Sequence, residues 1–216
     1  MKWMIIVCSV VICTISFLQP VHAQQLESTV ARLDKATTAN DYQKLAEEFK
    51  KQAASQSKNW LPYYYAAFCN AKIGWLYEKD GERIEPFADE ADEQIKKAKA
   101  LLDTSVQKKE LAEVYCILSM INQARVFINP QTYGPKFGPL AFQYTHLART
   151  LDPGNPRALY LEGWAKFATP KMWGGDKKKA KELLDAAVQQ LNNKSTDTAE
   201  PHWGKKEAED ILKQMK

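Results

Sequence analysis

Apolar residues recur at three- and four-residue spacing along most of the chain, and no run shows sustained alternation of apolar and polar residues. The first spacing is typical of amphipathic helices, whereas alternation would indicate strands. Segments rich in Gly, Pro, Asn and Asp separate the periodic stretches, the longest at residues 131–139. The sequence therefore predicts an all-α protein. The predicted helices cover residues 25–37, 42–56, 59–78, 86–102, 107–128, 140–151, 157–168, 177–191 and 205–215.

The first 23 residues form a segment of a different kind. Lys2 precedes a mostly apolar run over residues 3–18, and Val21-His22-Ala23 has the small-x-small pattern of a cleavage site. This pattern indicates a secretory signal peptide and leaves residues 24–216 as the mature protein. The alternative is an uncleaved membrane anchor, which is disfavoured because the apolar run is shorter than the about 20 residues of a membrane span. No second segment looks apolar enough to cross a membrane, so no stable membrane insertion is expected once the signal is removed.

Charge and cysteine content narrow the possible functions. Removing the signal peptide removes Lys2, its one charged residue, so the formal net charge falls from +4 to +3. That charge is too weak to indicate nucleic-acid binding, and no such partner is expected. Cys69 and Cys116 both lie within apolar helical patterns. They are either buried free thiols or the two halves of one disulfide, which an oxidising compartment would permit.

Three of the predicted helices share an internal repeat with a spacing of four and then three residues. Its members are Ala91, Ile95 and Ala98, then Ala141, Thr145 and Ala148, then Ala180, Leu184 and Ala187. A small residue stands seventeen positions before each set: Gly74, Ala124 and Gly163. Small residues let paired helices approach closely, and stacked pairs share a core that no single pair could build.

This pattern resembles the tetratricopeptide repeat (TPR), which has a small residue in the first helix, Ala–apolar–Ala in the second, and Pro at the exit. The matching residues are Gly163, Ala180, Leu184 and Ala187, with Ala141, Ala148 and Pro153. The loops within the pairs look longer than the family's short turn by about five residues. The resemblance implies one domain built as a right-handed superhelical stack of antiparallel helix pairs, a TPR-like α-solenoid. Its pairs are residues 25–56, 60–103, 107–152 and 155–192, with a C-terminal capping helix at 201–216.

The resemblance also implies a concave groove along the first helices of the pairs. In the family, the groove is lined by the position after the small residue and by the one three before it. With neighbouring aromatic and basic residues on these helices, the candidate groove residues are Tyr64, Trp75, Arg125, Arg157, Tyr160 and Trp164. Trp, Tyr and Arg dominate binding hot spots. The alternative is that these aromatic side chains only fill gaps in the core.

Two short segments are similar to those of small exported repeat proteins of Gram-negative bacteria. They are the loop Thr169–Asp176 and the terminal segment Pro201–Gly204. This similarity implies a periplasmic protein, although secretion beyond the envelope stays open.

No catalytic, metal or cofactor site is expected. The histidines of the mature chain, His146 and His202, lie far apart, and neither has a Cys or carboxylate at ligand spacing on its own helix.

The favoured function is a scaffold that binds a protein or peptide in the groove, and not an enzyme. The alternative is a small-molecule or glycan-binding component of a periplasmic uptake system, because stacked Tyr and Trp rings suit sugars. The pattern leaves the oligomeric state undetermined.

Overall fold

The computed structural model describes residues 22–193 and 199–215, and these residues are all-α, without a strand. Most of the expected signal peptide lies outside the described residues, so its cleavage stays a prediction. The helices are α1 (22–33), α2 (Ala39–Ser55), α3 (Trp60–Leu76), α4 (Glu85–Ala100), α5 (Lys108–Ile128), α6 (Pro130–Leu151), α7 (Pro156–Ala168), α8 (Lys177–Asn192) and α9 (Lys205–Gln214). Short 3-10 helices, Gly81–Arg83 and Lys171–Trp173, precede α4 and α8.

Polar side chains cap most of these helices, which explains why their starts were readable from the sequence. Asn59 accepts a hydrogen bond from the Leu61 amide at 3.1 Å, and Asp176 accepts one from the Lys179 amide at 2.9 Å. Thr38 and Asp41 form a reciprocal capping box, so α2 begins before the Asn40-Asp41 cap that the sequence suggested. Each cap satisfies amide donors that the first helical turn leaves unpaired.

Helix α6 corrects the expectation of a Gly- and Pro-rich loop at residues 131–139. The segment is helical from Pro130 and contains Pro135 and Pro139 in its interior. The packing of Phe137 explains why these prolines are tolerated: its ring is buried, stacks on Tyr133 at 5.5 Å and lies 5.5 Å from the Arg125 guanidinium. Tertiary packing here outweighs the cost of proline inside a helix. The connection between α5 and α6 is a single residue instead of a long loop.

The helices pack in consecutive pairs, with α3 against α4, α5 against α6 and α7 against α8. In addition, α3 contacts α5, and α5 contacts α7. These three helices run in the same direction, because one cluster joins their N-terminal halves and another joins their C-terminal halves. The first cluster contains Tyr64, Glu113 and Arg157, and the second contains Trp75, Phe127 and Trp164.

The repeat positions predicted from the sequence are buried, none with more than 6% of its surface exposed. At Gly163, a Cβ atom would lie 2.8 Å from Leu184 Cγ, so this helix pair needs a glycine there. At Gly74, a Cβ would lie 2.9 Å from the Cβ of Ala124, so two of the small residues meet between α3 and α5. The predicted close approach within a helix pair is therefore confirmed at Gly163, whereas Gly74 and Ala124 bring two neighbouring pairs together.

The core also settles the state of the cysteines. Cys69 and Cys116 are both buried free thiols, which removes the disulfide alternative. Burial raises the pKa of both thiols well above the usual value.

Among the described residues, α5 is long and apolar enough to cross a membrane by length and composition, but 72% of its most apolar stretch is buried inside the protein. A core helix of a soluble protein passes the same test, so this is weak evidence for a span.

Candidate functional site

The C-terminal segment, residues 199–215, does more than cap the last helix pair. Its helix α9 packs against α8 and α7, but the residues before and within it also reach α3. The Trp203 ring lies 4.9 Å from that of Phe68 on α3 and 6.2 Å from that of Tyr160 on α7. The Lys72 ammonium on α3 pairs with the Glu207 carboxylate at 2.7 Å. The segment therefore forms one wall of a cleft above α3.

This cleft has a volume of about 350 Å³ and lies between the end of α1, the start of α2, α3 and the C-terminal segment. One face of α3 supplies its floor, because residues three or four apart share a helix face. The floor residues are Tyr65, Phe68, Lys72 and Leu76, and the walls include Leu33, Tyr42, His202, Trp203, Lys205 and Lys206. The lining mixes apolar and aromatic side chains with ionisable ones in nearly equal surface, so the cleft is more polar than the usual small-molecule pocket.

The α9 side of the cleft carries charges of both signs, with Lys205 and Lys206 beside Glu207 and Asp210. Lys205 and Lys206 are exposed in the first turn of α9, where the helix dipole also favours anions. Gly204 precedes that turn in the left-handed conformation, with φ of 101°, and supplies no side-chain cap. Glu207 is the nearest acid, and burial alone would raise its pKa, but Lys72 outweighs burial and lowers it. An anionic ligand would therefore meet lysines at this wall.

His202 ties the C-terminal segment to the end of α1. Its Nε2 lies 2.9 and 3.1 Å from the two carboxylate oxygens of Asp34, and its Nδ1 lies 2.8 Å from the Glu200 carbonyl oxygen. The hydrogen bond with Asp34 raises the pKa of His202, against an opposing effect of burial. The charged imidazolium therefore stabilises the contact between this segment and the end of α1.

This contact predicts a pH dependence of stability. A raised histidine pKa contributes stability that is complete below the unfolded-state pKa and is lost as the pH rises through the folded-state value. We expect Asp34→Asn to lower the free energy of unfolding by less than about 1 kcal/mol near pH 6, since Asp34 is partly solvated. The difference from the unmodified protein should shrink near pH 8. Urea denaturation at both pH values measures it, and a difference that grows with pH would contradict the assignment.

A second aromatic surface adjoins the cleft at the C-terminal ends of α3, α5 and α7. The rings of Trp75 and Trp164 lie 4.7 Å apart, and Phe127 lies 5.8 Å from the first and 6.1 Å from the second. All three side chains are half-buried, and Trp75 Nε1 donates to the Met120 carbonyl at 2.9 Å. Trp75 is followed directly by Leu76, which lines the cleft. The structure therefore brings together two of the predicted groove residues, Trp75 and Trp164.

Two other predicted groove residues, Tyr64 and Tyr160, are not accessible to a partner. They are only 0% and 4% exposed, because Trp203 lies over them. Trp203 Nε1 also donates to the Tyr64 hydroxyl at 2.8 Å. The C-terminal segment therefore occupies the stretch of groove that the sequence had assigned to a partner.

The two arginines among the candidates serve the core instead. Arg157 is 2% exposed and pairs with the buried Glu113, while Arg125 pairs with Asp89 at 2.9 Å and Asp92 at 2.8 Å on α4. Arg125 thus points away from the cluster around Trp164. Their positions on α5 and α7 were predictable, but their partners were not, because those lie on other helices.

The sequence did not indicate that Lys72, His202 and Glu207 line a cleft, and it assigned Trp203 only to the capping segment 201–216. No local pattern marks Lys72, whose partner is 135 positions away in the chain. Glu113 did leave a signal, since an acid inside an apolar helical run needs a buried partner. No group of three metal-binding side chains occurs in residues 22–193 and 199–215.

Comparison with known proteins gives one informative likeness. No protein-family description matches the chain, and no curated protein does. Among solved structures, the chain is similar to the HusA haemophore from Porphyromonas gingivalis, with a TM-score of 0.75 and 28% sequence identity. The match covers 88% of this chain and 90% of that one. It supports the all-α fold over nearly the full length and agrees with export from a Gram-negative cell.

This likeness corrects the expected partner. The sequence favoured a protein or peptide in the groove, but a haemophore binds haem, which is a small molecule. Tyr64, Arg125, Arg157 and Tyr160 are also buried, which removes four of the six residues assigned to such a partner. The alternative reading, a small-molecule-binding component of an uptake system, is the better supported one.

Proposed function

We propose that this protein is an exported binding protein for haem or a related tetrapyrrole, within an uptake system of a Gram-negative bacterium. The observation that carries the proposal is the likeness to a haemophore over 88% of the chain. In this proposal the protein captures and carries its ligand without converting it, either in the periplasm or outside the cell.

The chemistry of the cleft supports this ligand. Haem is a flat, apolar macrocycle with two carboxylate groups on one edge. The half-buried ring of Trp203 lines the cleft beside Tyr42 and Phe68, which are 7% and 3% exposed, and Lys205 and Lys206 stand at its α9 wall. Aromatic faces stack on flat rings, and lysines pair with carboxylates. The cleft thus offers both kinds of contact that a tetrapyrrole needs.

In this proposal, contacts to the ring and to the carboxylates hold the ligand, rather than a protein ligand to the iron. His202 is the imidazole that lines the cleft, and both of its nitrogens already have partners in Asp34 and the Glu200 carbonyl. Both cysteine thiols are buried in the core. We therefore expect the protein to recognise the porphyrin ring and its carboxylates, with the metal contributing little to binding.

We also propose that the helix pairs stack as a TPR-like solenoid. The parallel run of α3, α5 and α7, each paired with the following helix, supports this arrangement. A crystal structure can test it, since a solenoid requires the same rotation, with the same right-handed sense, from each pair to the next.

Leu76 offers a direct test of the cleft. It is 44% exposed at the cleft, so a charged side chain there should not unfold the protein. We expect Leu76→Glu to weaken haem binding about tenfold or more, because it removes apolar contact and sets a carboxylate against those of the ligand. Absorption changes during haem titration of the mature protein measure the dissociation constant.

Val106→Glu is the matched control. Val106 is 75% exposed in the connection between α4 and α5, and it does not line the cleft. Its variant should bind haem as the unmodified protein does. Saturable haem binding that both variants retain equally would place the ligand elsewhere, and no saturable binding by the unmodified protein would refute the proposed function.

A further inference from the structure

Lys72 is a charged residue on an otherwise apolar floor. It lies one helical turn from Phe68 on one side and one turn from Leu76 on the other, and all three line the cleft. Its side chain is 14% exposed. An ammonium group in so enclosed a position is costly unless it has an anionic partner. Lys72, in the C-terminal half of α3, therefore needs a carboxylate or another anion beside it.

Glu207 meets that requirement from α9. Its Oε1 lies 2.7 Å from Lys72 Nζ, and its side chain is 31% exposed and also lines the cleft. The Tyr42 ring centroid lies 6.0 Å from the same ammonium. The Lys72 ammonium thus already has a carboxylate and an aromatic ring beside it in the cleft. A carboxylated aromatic ligand would supply the same two kinds of group.

We propose that Glu207 holds, in the free protein, the place on Lys72 that a ligand carboxylate takes in the complex. Lys72 is then the residue that makes the cleft select tetrapyrroles with free carboxylates. This inference rests on the proposed function and names the feature of the ligand that the same cleft recognises.

The exchange costs little because one charge-assisted hydrogen bond replaces another of the same kind. Lys72 keeps an anionic partner throughout, so its desolvation is compensated in both states. Glu207 stands on the solvent side of the pair and can return to water when it leaves. An esterified ligand lacks the anion, so displacing Glu207 would leave Lys72 enclosed and unpaired, which costs free energy.

Haem and haem dimethyl ester are the probes, because they share the macrocycle and the metal and differ in their carboxylates. We expect the unmodified protein to bind haem about tenfold more tightly than the ester. Lys72→Met should reduce that ratio to about one to three, mainly by tightening ester binding, because no ion pair on Lys72 is then broken. Glu207→Gln removes the internal competitor and should tighten the binding of haem and of the ester alike, about threefold to tenfold, because neither ligand then breaks the ion pair on Lys72.

The exposed pair of Lys97 and Glu93 on α4 supplies matched controls. Their atoms lie 2.6 Å apart outside the cleft, so Lys97→Met and Glu93→Gln should leave both dissociation constants unchanged. Equal binding of haem and ester by the unmodified protein overturns the inference, even if Lys72→Met fails to fold. A preference that survives in a folded Lys72→Met variant also overturns it. Failure of both probes to bind refutes the proposed function instead.

Discussion

Replacement of Glu113 by alanine is expected to lower the free energy of unfolding by about 3 to 5 kcal/mol, because it leaves a buried arginine without its counter-charge. Glu113 is 5% exposed and its partner Arg157 is 2% exposed. The two residues join the N-terminal halves of α5 and α7 in the centre of the protein. This is the largest single-residue effect on stability that we expect.

The contacts of Glu113 explain the size of this effect. Arg157 Nε lies 3.1 and 3.0 Å from its two oxygens, and the guanidinium makes a further short contact through Nη2. Asn155 Nδ2 donates at 2.6 Å and the Tyr64 hydroxyl at 3.2 Å. Burial alone would lower the pKa of Arg157, but the Glu113 carboxylate outweighs burial and raises it. The alanine variant leaves three donor groups unpaired.

Urea denaturation followed by circular dichroism measures the loss. Glu182→Ala is the control, because Glu182 is 53% exposed in an ion pair with Lys179 and should change stability by about 0.5 kcal/mol or less. The double variant Glu113→Leu, Arg157→Met should recover much of the stability, since apolar pairs often replace buried ion pairs well. A Glu113→Ala variant within about 1 kcal/mol of the unmodified protein would contradict this account.

Trp203→Ala is expected to lower the free energy of unfolding by about 2 to 4 kcal/mol, somewhat less than for a fully buried tryptophan. The Trp203 ring packs on Phe68 and Tyr160, and its Nε1 donates to Tyr64. Its removal opens a cavity between α3, α7 and the C-terminal segment. Because Trp203 also lines the cleft, the same variant should weaken haem binding.

Trp173→Ala is the matched control for this prediction. Trp173 is 73% exposed in the loop before α8, so its removal should change stability by about 0.5 kcal/mol or less. Thermal unfolding of both variants, with and without haem, separates the two roles of Trp203. Equal stability of the two tryptophan variants would mean that the C-terminal segment does not hold the fold together.

Much of the fold could be predicted because its signals are local. The apolar spacing located the helices to within a few residues, and Asn59 and Asp176 marked two of their starts. The repeat identified Gly163 as a point of close helix contact, and the structure confirms that contact with Leu184. The loop predicted at residues 131–139 was wrong, because the prolines are a local signal, whereas the packing of Phe137 that keeps this segment helical depends on other helices.

The candidate site was predicted only in part, for a related reason. The pattern on α3 and α7 correctly placed Trp75 and Trp164 on faces that meet. It could not show that Trp203 would cover Tyr64 and Tyr160, because residues 199–215 carry no repeat signal that specifies where they pack. A groove residue inferred from one helix stays accessible only if no other part of the chain takes the position.

The sequence by itself determined the helical class, the helix pairs and the buried repeat positions, since period and residue size act over a few turns. The tertiary structure alone decided which surfaces stay open. It brought Glu207 to Lys72 across 135 positions of chain and His202 to Asp34 across 168. Such contacts depend on how all the helix pairs stack, which no local period encodes. The cleft is formed by those long-range contacts.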